Sequence, residues 1–276
     1  MRGSPIDSTL CLTAVLLLIR PPGPFYVRFA VVALATFVLV WPAARRHWTT
    51  WAAITGAVVL GIAAQFPLPD NHIYLLAYWS LAVSLALSGA DPAATLAASA
   101  RWLVGSAFAA AVVWKALLAP DYLDGRFFAV TLLIDDRFSD VVRLAGGLSE
   151  ADLIARRGAL APAFDGASVS DAPGLFHPAA FARMAMALTW GGVLLEAAVA
   201  AATLSGRWRR VSLALLLVFC ASTYALAPVT GFGCLLLTMG LAQCRDDETS
   251  LQAAFVAVFV LVLFYAEVPW AGLLLP

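Results

Sequence analysis

The chain contains a single lysine, Lys115, near the end of an apolar run that extends from Thr95 to Leu118. Arg101 is the other charged residue of that run. An ammonium group inside a membrane span costs about 3 kcal/mol unless it is paired, deprotonated or close to water. A desolvated lysine can release its proton and act as a general base, whereas an arginine cannot. Two interpretations of Lys115 follow: a general base, or a side chain that snorkels from the helix end to the membrane surface.

Two short motifs accompany this lysine. The motif Asn71-His72-Ile73-Tyr74-Leu75 opens an apolar run about forty residues earlier, and Asp121-Tyr122-Leu123-Asp124-Gly125 follows shortly after it. In their order and spacing, residues 66–128 resemble the vitamin K-dependent gamma-carboxylase family and its bacterial relatives, the HTTM membrane domains. That family carries an Asn-His-x-Tyr-Leu motif that opens one helix and a lysine that ends a later helix. An Asp-aromatic-aliphatic-acidic-Gly sequence then follows.

This resemblance implies a site and a cofactor. In the carboxylase the lysine deprotonates the reduced quinone and the histidine belongs to the same site, so Lys115 and His72 are the implied catalytic residues. A vitamin K-like quinone or hydroquinone would be the cofactor. The implied substrate-binding residues are Asn71, Tyr74, Asp121, Tyr122 and Asp124. With the full family mechanism, oxygenation of the hydroquinone would supply a strong base, as in a quinol-dependent oxygenase and carboxylase-like lyase.

The sequence departs from the family pattern in two places. The carboxylase has a large lumenal region after its membrane domain, whereas Pro276 closely follows the last predicted span here. The family also has a histidine in a later helix, and the corresponding stretch 213–227 contains Tyr224 but no histidine. Glutamate carboxylation is therefore not expected.

Two classes of function remain open at this stage. The first is an enzyme that binds or oxidises a quinol, or another lipid-soluble substrate, at the outer leaflet. The second is a non-catalytic subunit or quinone-binding module of a larger membrane complex, or a maturation partner for a secreted peptide. A solute channel or transporter is a weaker third class, because the apolar helices offer few convergent polar groups.

Composition predicts the fold class independently of the motifs. Hydrophobic residues make up 62% of the chain and charged residues 12%, with a mean hydropathy of +0.89, which predicts an integral membrane protein in a lipid bilayer. A net charge of zero without a basic block argues against a nucleic-acid partner. We expect one all-α membrane domain over residues 1–276, a polytopic helical bundle with eight or nine spans. The predicted segments are 9–20, 25–43, 48–65, 72–89, 94–118, 179–204, 209–227, 229–244 and 251–269.

Arginine placement predicts the orientation of this bundle. Arg45, Arg207 and Arg245 mark loops that consistent alternation of the spans places on one side, which the positive-inside rule makes cytoplasmic. We therefore expect a bacterial inner (plasma) membrane protein whose site faces the extracytoplasmic side. The same alternation places His72 and Lys115 at the same outer depth on different helices.

Residues 119–178 form the one long predicted connection between spans, on the extracytoplasmic side. The stretch 127–144 mixes apolar and charged residues as an amphipathic interfacial helix does, and helix-start residues precede a second predicted helix at 148–160. Such a segment is either a lid over an outer-leaflet cavity or a passive connector.

The remaining charged and small residues suggest structural roles. Arg101 and Glu196 both lie toward the cytoplasmic ends of their predicted spans, so we expect them to form a structural ion pair. Arg28 could meet an anionic headgroup, a substrate carboxylate or Asp124. With three histidines and no metal-binding spacing, no metal site is expected. Gly-Phe-Gly at 231–233 and the glycine pair at 191–192 suggest close helix packing.

Overall fold

The computed structural model describes residues 4–164, 178–226 and 229–267, and within these ranges the regular structure is helical without strands. In chain order the helices are α1 (Pro5–Ile19), α2 (Phe25–Val40), α3 (Pro42–Arg45), α4 (Trp48–Gln65), α5 (Asn71–Ser88), α6 (Pro92–Leu118), α7 (Pro120–Leu123), α8 (Arg126–Ile134), α9 (Ser139–Val141), α10 (Glu150–Phe164), α11 (Ala179–Ser205), α12 (Arg209–Leu226), α13 (Thr230–Ala242) and α14 (Thr249–Glu267). The all-helical prediction is confirmed for the described part of the chain.

Each predicted apolar segment coincides with one helix, and the ends agree within about four residues. The helix ends follow local chemistry. Asp91 caps α6 by accepting a hydrogen bond from the backbone N–H of Ala94 at 3.0 Å, with Pro92 in the first turn. Helix α11 ends where the next residue, Gly206, adopts a φ of 65°, a conformation that favours glycine.

Three of the described helices are long and apolar enough to cross a membrane: Trp48–Gln65, Pro92–Leu118 and Ala179–Ser205. Four further apolar helices are shorter, at Pro5–Ile19, Phe25–Val40, Thr230–Ala242 and Thr249–Phe264. These lengths are consistent with a membrane protein.

Helix α13 lies at the centre of the bundle. It packs against α1, α6, α12 and α14, and every residue from Gly233 to Ala242 is buried. An apolar sequence on all sides suits a helix that neighbours surround. Around it, α6 packs along α11, and α4 packs along α5. A buried hydrogen bond from Nε1 of Trp79 to Oγ1 of Thr13, at 3.0 Å, joins α5 to α1.

The segment between α6 and α11 builds a second, smaller core against the first half of α11. Its centre includes Leu132, Val142 and Phe181, which are fully buried. Arg157 ties α10 to this core by donating to the carbonyl oxygen of Leu133 at 2.6 Å. The predicted helix at 127–144 is found as two, α8 and α9, because a 3-10 turn at Asp136–Phe138 interrupts it. The part of this segment at 165–177 lies outside the described residues.

The up-and-down order of the helices gives the bundle two distinct ends. The cavity end carries the loops at 20–24 and 66–70 and the start of α13 at Val229. The arginine end carries the loops at 41–47, 206–208 and 243–248. An ion pair at 2.5 Å between Arg46 and Asp7 joins two elements at the arginine end.

Candidate functional site

Lys115 and Glu196 form an ion pair inside the bundle. The lysine Nζ donates to both carboxylate oxygens of Glu196, at 2.5 and 2.6 Å. The two side chains are 14% and 11% exposed, so most of the pair is shielded from the surroundings. The ammonium binds both carboxylate oxygens, and this attraction offsets the free-energy cost of desolvating the two charges. Neither side chain could offset that cost alone.

The local structure around Lys115 explains how it reaches its partner. The last turn of α6, Trp114–Leu118, widens into a π-helix, a feature frequent at functional sites. From there the lysine nitrogen also lies 4.9 Å from the centre of the Tyr122 ring, close enough for a cation–π contact. Burial raises the pKa of the Tyr122 phenol well above its usual range, and Glu196 raises it further, so the ring stays neutral.

The expected pairing of Arg101 with Glu196 is not the one found. Because α6 and α11 run antiparallel, Gly105 packs against Leu204, and the Arg101 guanidinium lies against Gly206 at the arginine end. Glu196 lies ten residues before Gly206, which is roughly 15 Å along the helix. Long helical side chains point back toward the helix N-terminus, so Lys115 reaches down to Glu196 while Arg101 points away from it.

His72 lies in the wall of a different space. A cavity of about 850 Å³ opens at the cavity end of the bundle, within the range of small-ligand sites. Its polar lining includes Arg20, Arg28, Gln65, Asp70, His72, Arg137 and Thr230. Its apolar lining includes Leu16, Ile73, Leu76 and Leu235. A cavity lined by both polar and apolar side chains suits an amphiphilic molecule.

The first turn of α13 packs against both His72 and Tyr224. A Cβ built on Gly231 would lie 3.0 Å from Nε2 of His72, and one built on Gly233 would lie 2.7 Å from the Tyr224 ring. The Tyr224 hydroxyl is buried without a hydrogen-bond partner among the described residues. The two glycines therefore let α13 pack closely against His72 and Tyr224, and the Gly-Phe-Gly sequence had suggested such close helix packing.

The structure brings together some of the predicted site residues and separates others. Tyr122 contacts Lys115, whereas His72 lines the cavity and Lys115 is not among its lining residues. Asp121 and Asp124 instead form exposed ion pairs with Arg126, both at 2.6 Å. Hydrogen bonding from Arg126 lowers the pKa of Asp124.

Asn71 and Tyr74, the other two predicted binding residues, are not part of the cavity lining. Both belong to the first turn of α5, beside His72. Asn71 is exposed and Tyr74 is partly buried. The structure therefore assigns neither of them a contact with the cavity.

Several residues of the cavity were not predicted from the sequence. Arg20 and Thr230 carried no recognisable motif, and Arg137 belonged to a segment predicted as lid or connector. Arg137 donates to both carboxylate oxygens of Asp135, and these bonds hold the pKa of Asp135 below its usual range. In contrast to the packing prediction, Cβ atoms built on the glycines at 191–192 would meet no atom within 4 Å.

Among the residues that the structure describes, no group of three or more histidine, cysteine, aspartate or glutamate side chains could hold a metal ion. No protein-family profile matches the chain, and neither a curated protein nor a solved structure matches it significantly. The chemistry available to the chain is therefore that of the Lys115–Glu196 pair and of the cavity beside His72.

Proposed function

We propose that this chain is a multi-pass membrane protein that binds a quinol-type, lipid-soluble substrate in the cavity beside His72. The observation that carries the proposal is the cavity itself, which offers His72 and Asp70 to a substrate hydroxyl and Leu16 and Ile73 to an apolar ring. The resemblance of residues 66–128 to the carboxylase and HTTM proteins points to the same substrate class.

Eight or nine of the bundle helices cross the bilayer in this proposal, with the cavity end on the extracytoplasmic side. Helix α13, one of the shorter apolar helices, is surrounded by other helices, so it need not match the full bilayer thickness alone. Arg45, Arg207 and Arg245 in the loops of the arginine end support this orientation by the positive-inside rule.

In the proposed enzyme, Lys115 takes up the substrate proton. Because Lys115 is not among the residues that line the cavity, the quinol headgroup moves from the His72 side to the ion pair before this transfer. In the resting pair the ammonium carries its proton, so it becomes a base once that proton passes to Glu196 and leaves a neutral amine beside a neutral acid. The amine then accepts a proton from the quinol hydroxyl, and the regained ammonium stabilises the quinolate.

The test uses the full chain in zwitterionic nanodiscs. Short-tail menaquinol and ubiquinol are titrated without oxygen to measure binding, and oxygen uptake is then recorded in air. We expect His72→Gln to weaken quinol binding at least tenfold and His47→Gln, at the arginine end, to leave it unchanged. Equal binding by the His72 variant and the wild type, or no binding of either quinol, would overturn the proposal.

A second function is binding without turnover, as a subunit or quinone-binding module of a larger complex. The closed geometry of the Lys115–Glu196 pair favours it, because a pair satisfied on both sides also serves as a structural tie. Copurification from native membranes with a stoichiometric partner, without oxygen uptake by the isolated chain, would select this function.

A further inference from the structure

The N-terminal turn of α13 forms part of the cavity wall through Val229, Thr230 and Gly231. The first N–H groups of a helix have no acceptor within the helix, and together they carry a partial positive charge. Val229 occupies the N-cap position and provides no side-chain hydrogen bond to these groups. This end of α13 is therefore free to bind an acceptor from the cavity.

Thr230 provides a second and independent feature of this wall. Its side chain is 5% exposed, and Oγ1 has no hydrogen-bond partner among the described residues. Buried hydroxyl groups are nearly always hydrogen-bonded, so an unpartnered one beside a cavity indicates that a ligand provides the missing partner.

The guanidinium groups in the same wall supply positive charge. The Arg20 guanidinium has no hydrogen bond or ion pair with another described residue, and Arg28 uses Nε to donate to the carbonyl oxygen of Gly23 at 2.6 Å. Arg137 is already bound to Asp135, and Asp70 is the one carboxylate of the lining. Arg20 and the terminal N–H groups of Arg28 thus remain for an external anion.

We propose that the cavity binds the phosphate group of an amphiphile, with Arg20, Arg28, Thr230 and the first turn of α13 as its donors. Helix N-termini and arginine forks are both well suited to phosphate oxygens. The apolar side chains of the lining, such as Leu16 and Leu76, contact the hydrocarbon part of the amphiphile. This inference shares the cavity of the proposed function but requires no quinol chemistry.

The test measures binding of three probes to the full chain in a non-ionic detergent by native mass spectrometry and displacement titration. The probes are dioctanoyl phosphatidylglycerol, dioctanoylglycerol as its phosphate-free counterpart, and inorganic phosphate. We expect at least tenfold tighter binding of the phosphatidylglycerol than of the dioctanoylglycerol. Displacement by inorganic phosphate at similar concentrations would identify a free phosphate as the ligand, and lack of displacement would identify a lipid headgroup.

Three variants assign this binding to the cavity. Arg20→Gln should weaken it about tenfold, and Thr230→Val severalfold, without loss of thermal stability, because valine removes a hydroxyl that has no partner in the fold. Arg183→Gln is the control, since it removes an exposed arginine from the start of α11, outside the cavity. Equal binding of the two lipids, equal losses in the Arg20 and Arg183 variants, or unchanged binding by Thr230→Val would overturn the proposal.

The same samples separate this proposal from the quinol proposal. Quinol binding is measured in the same non-ionic detergent, without phosphate or phospholipid, and Arg20→Gln should leave quinol binding intact. Loss of phosphate binding with quinol binding retained would reject the phosphate site alone, and the reverse result would reject the quinol site alone.

Discussion

The ammonium of Lys115 lies within 2.6 Å of both carboxylate oxygens of Glu196, and the Tyr122 ring lies 4.9 Å from the same nitrogen. Three elements, α6, α7 and α11, therefore meet at one charged group. Of the two interpretations of Lys115, this arrangement excludes a side chain that snorkels to the membrane surface, because the lysine is held inside the bundle. It also makes the stability of the bundle depend on both partners.

Glu196→Gln should destabilise the bundle by about 2–4 kcal/mol, because the change leaves the Lys115 ammonium without its counter-ion. The double variant with Lys115→Met should recover much of that loss, since no unpaired charge remains. Denaturant unfolding in detergent gives the four free energies of this cycle. Arg101→Met is the control, and its effect should add to that of Glu196→Gln because the two residues are not partners.

Lys115→Arg should preserve the fold and abolish quinol-dependent oxygen uptake. A guanidinium can still bind both oxygens of Glu196, so the unfolding free energy should change by less than about 1 kcal/mol. It cannot release a proton, so turnover should fall on the order of 100-fold or more. Oxygen uptake at or near the wild-type rate by this variant would show that Lys115 is not the base.

Gly231→Ala should disturb His72, because the new methyl group would lie 3.0 Å from Nε2 and 3.2 Å from Cδ2 of the imidazole. We expect quinol affinity to fall severalfold in anaerobic titrations. Gly191→Ala is the matched control, since no atom lies within 4 Å of its new methyl group and alanine favours helix by roughly 1 kcal/mol. Equal affinities of the two variants would contradict the contact between His72 and Gly231.

Glu248 should make the arginine end sensitive to acid. Hydrogen bonds from Arg209, supported by Arg210, lower the pKa of its carboxyl from the usual 4.5 to about 2. A lowered folded pKa stabilises the fold above pH 4.5, and that contribution is lost as the pH falls from 4.5 toward 2.

Thermal unfolding from about pH 2, the lowered pKa of Glu248, to about pH 7, well above the usual 4.5, tests this dependence. Glu248→Gln should flatten the profile in the acid range, while Asp246→Asn, in the same loop, should leave its shape unchanged. A Glu248→Gln profile as steep as that of the wild type would show that another group dominates the acid response.

The positions of the helices followed from the sequence alone, because apolar length, proline and glycine act locally and do not depend on the neighbours of a helix. The predicted segment 48–65 coincides with α4, and 179–204 differs from α11 by one residue. Alternation of the helices also places His72 and Lys115 toward one end of the bundle. The spacing of residues along the chain is enough to predict this depth along the helix axis.

Which residues of different helices contact each other was decided only by the tertiary structure. Spacing placed Arg101 and Glu196 near the same end, but it did not specify how each helix rotates about its axis or how far α6 slides along α11. The packing of Gly105 against Leu204 sets that register and brings Glu196 to Lys115. Likewise, His72 meets α13 because Gly231 leaves room for the imidazole, a contact between residues more than 150 positions apart that no local pattern encodes.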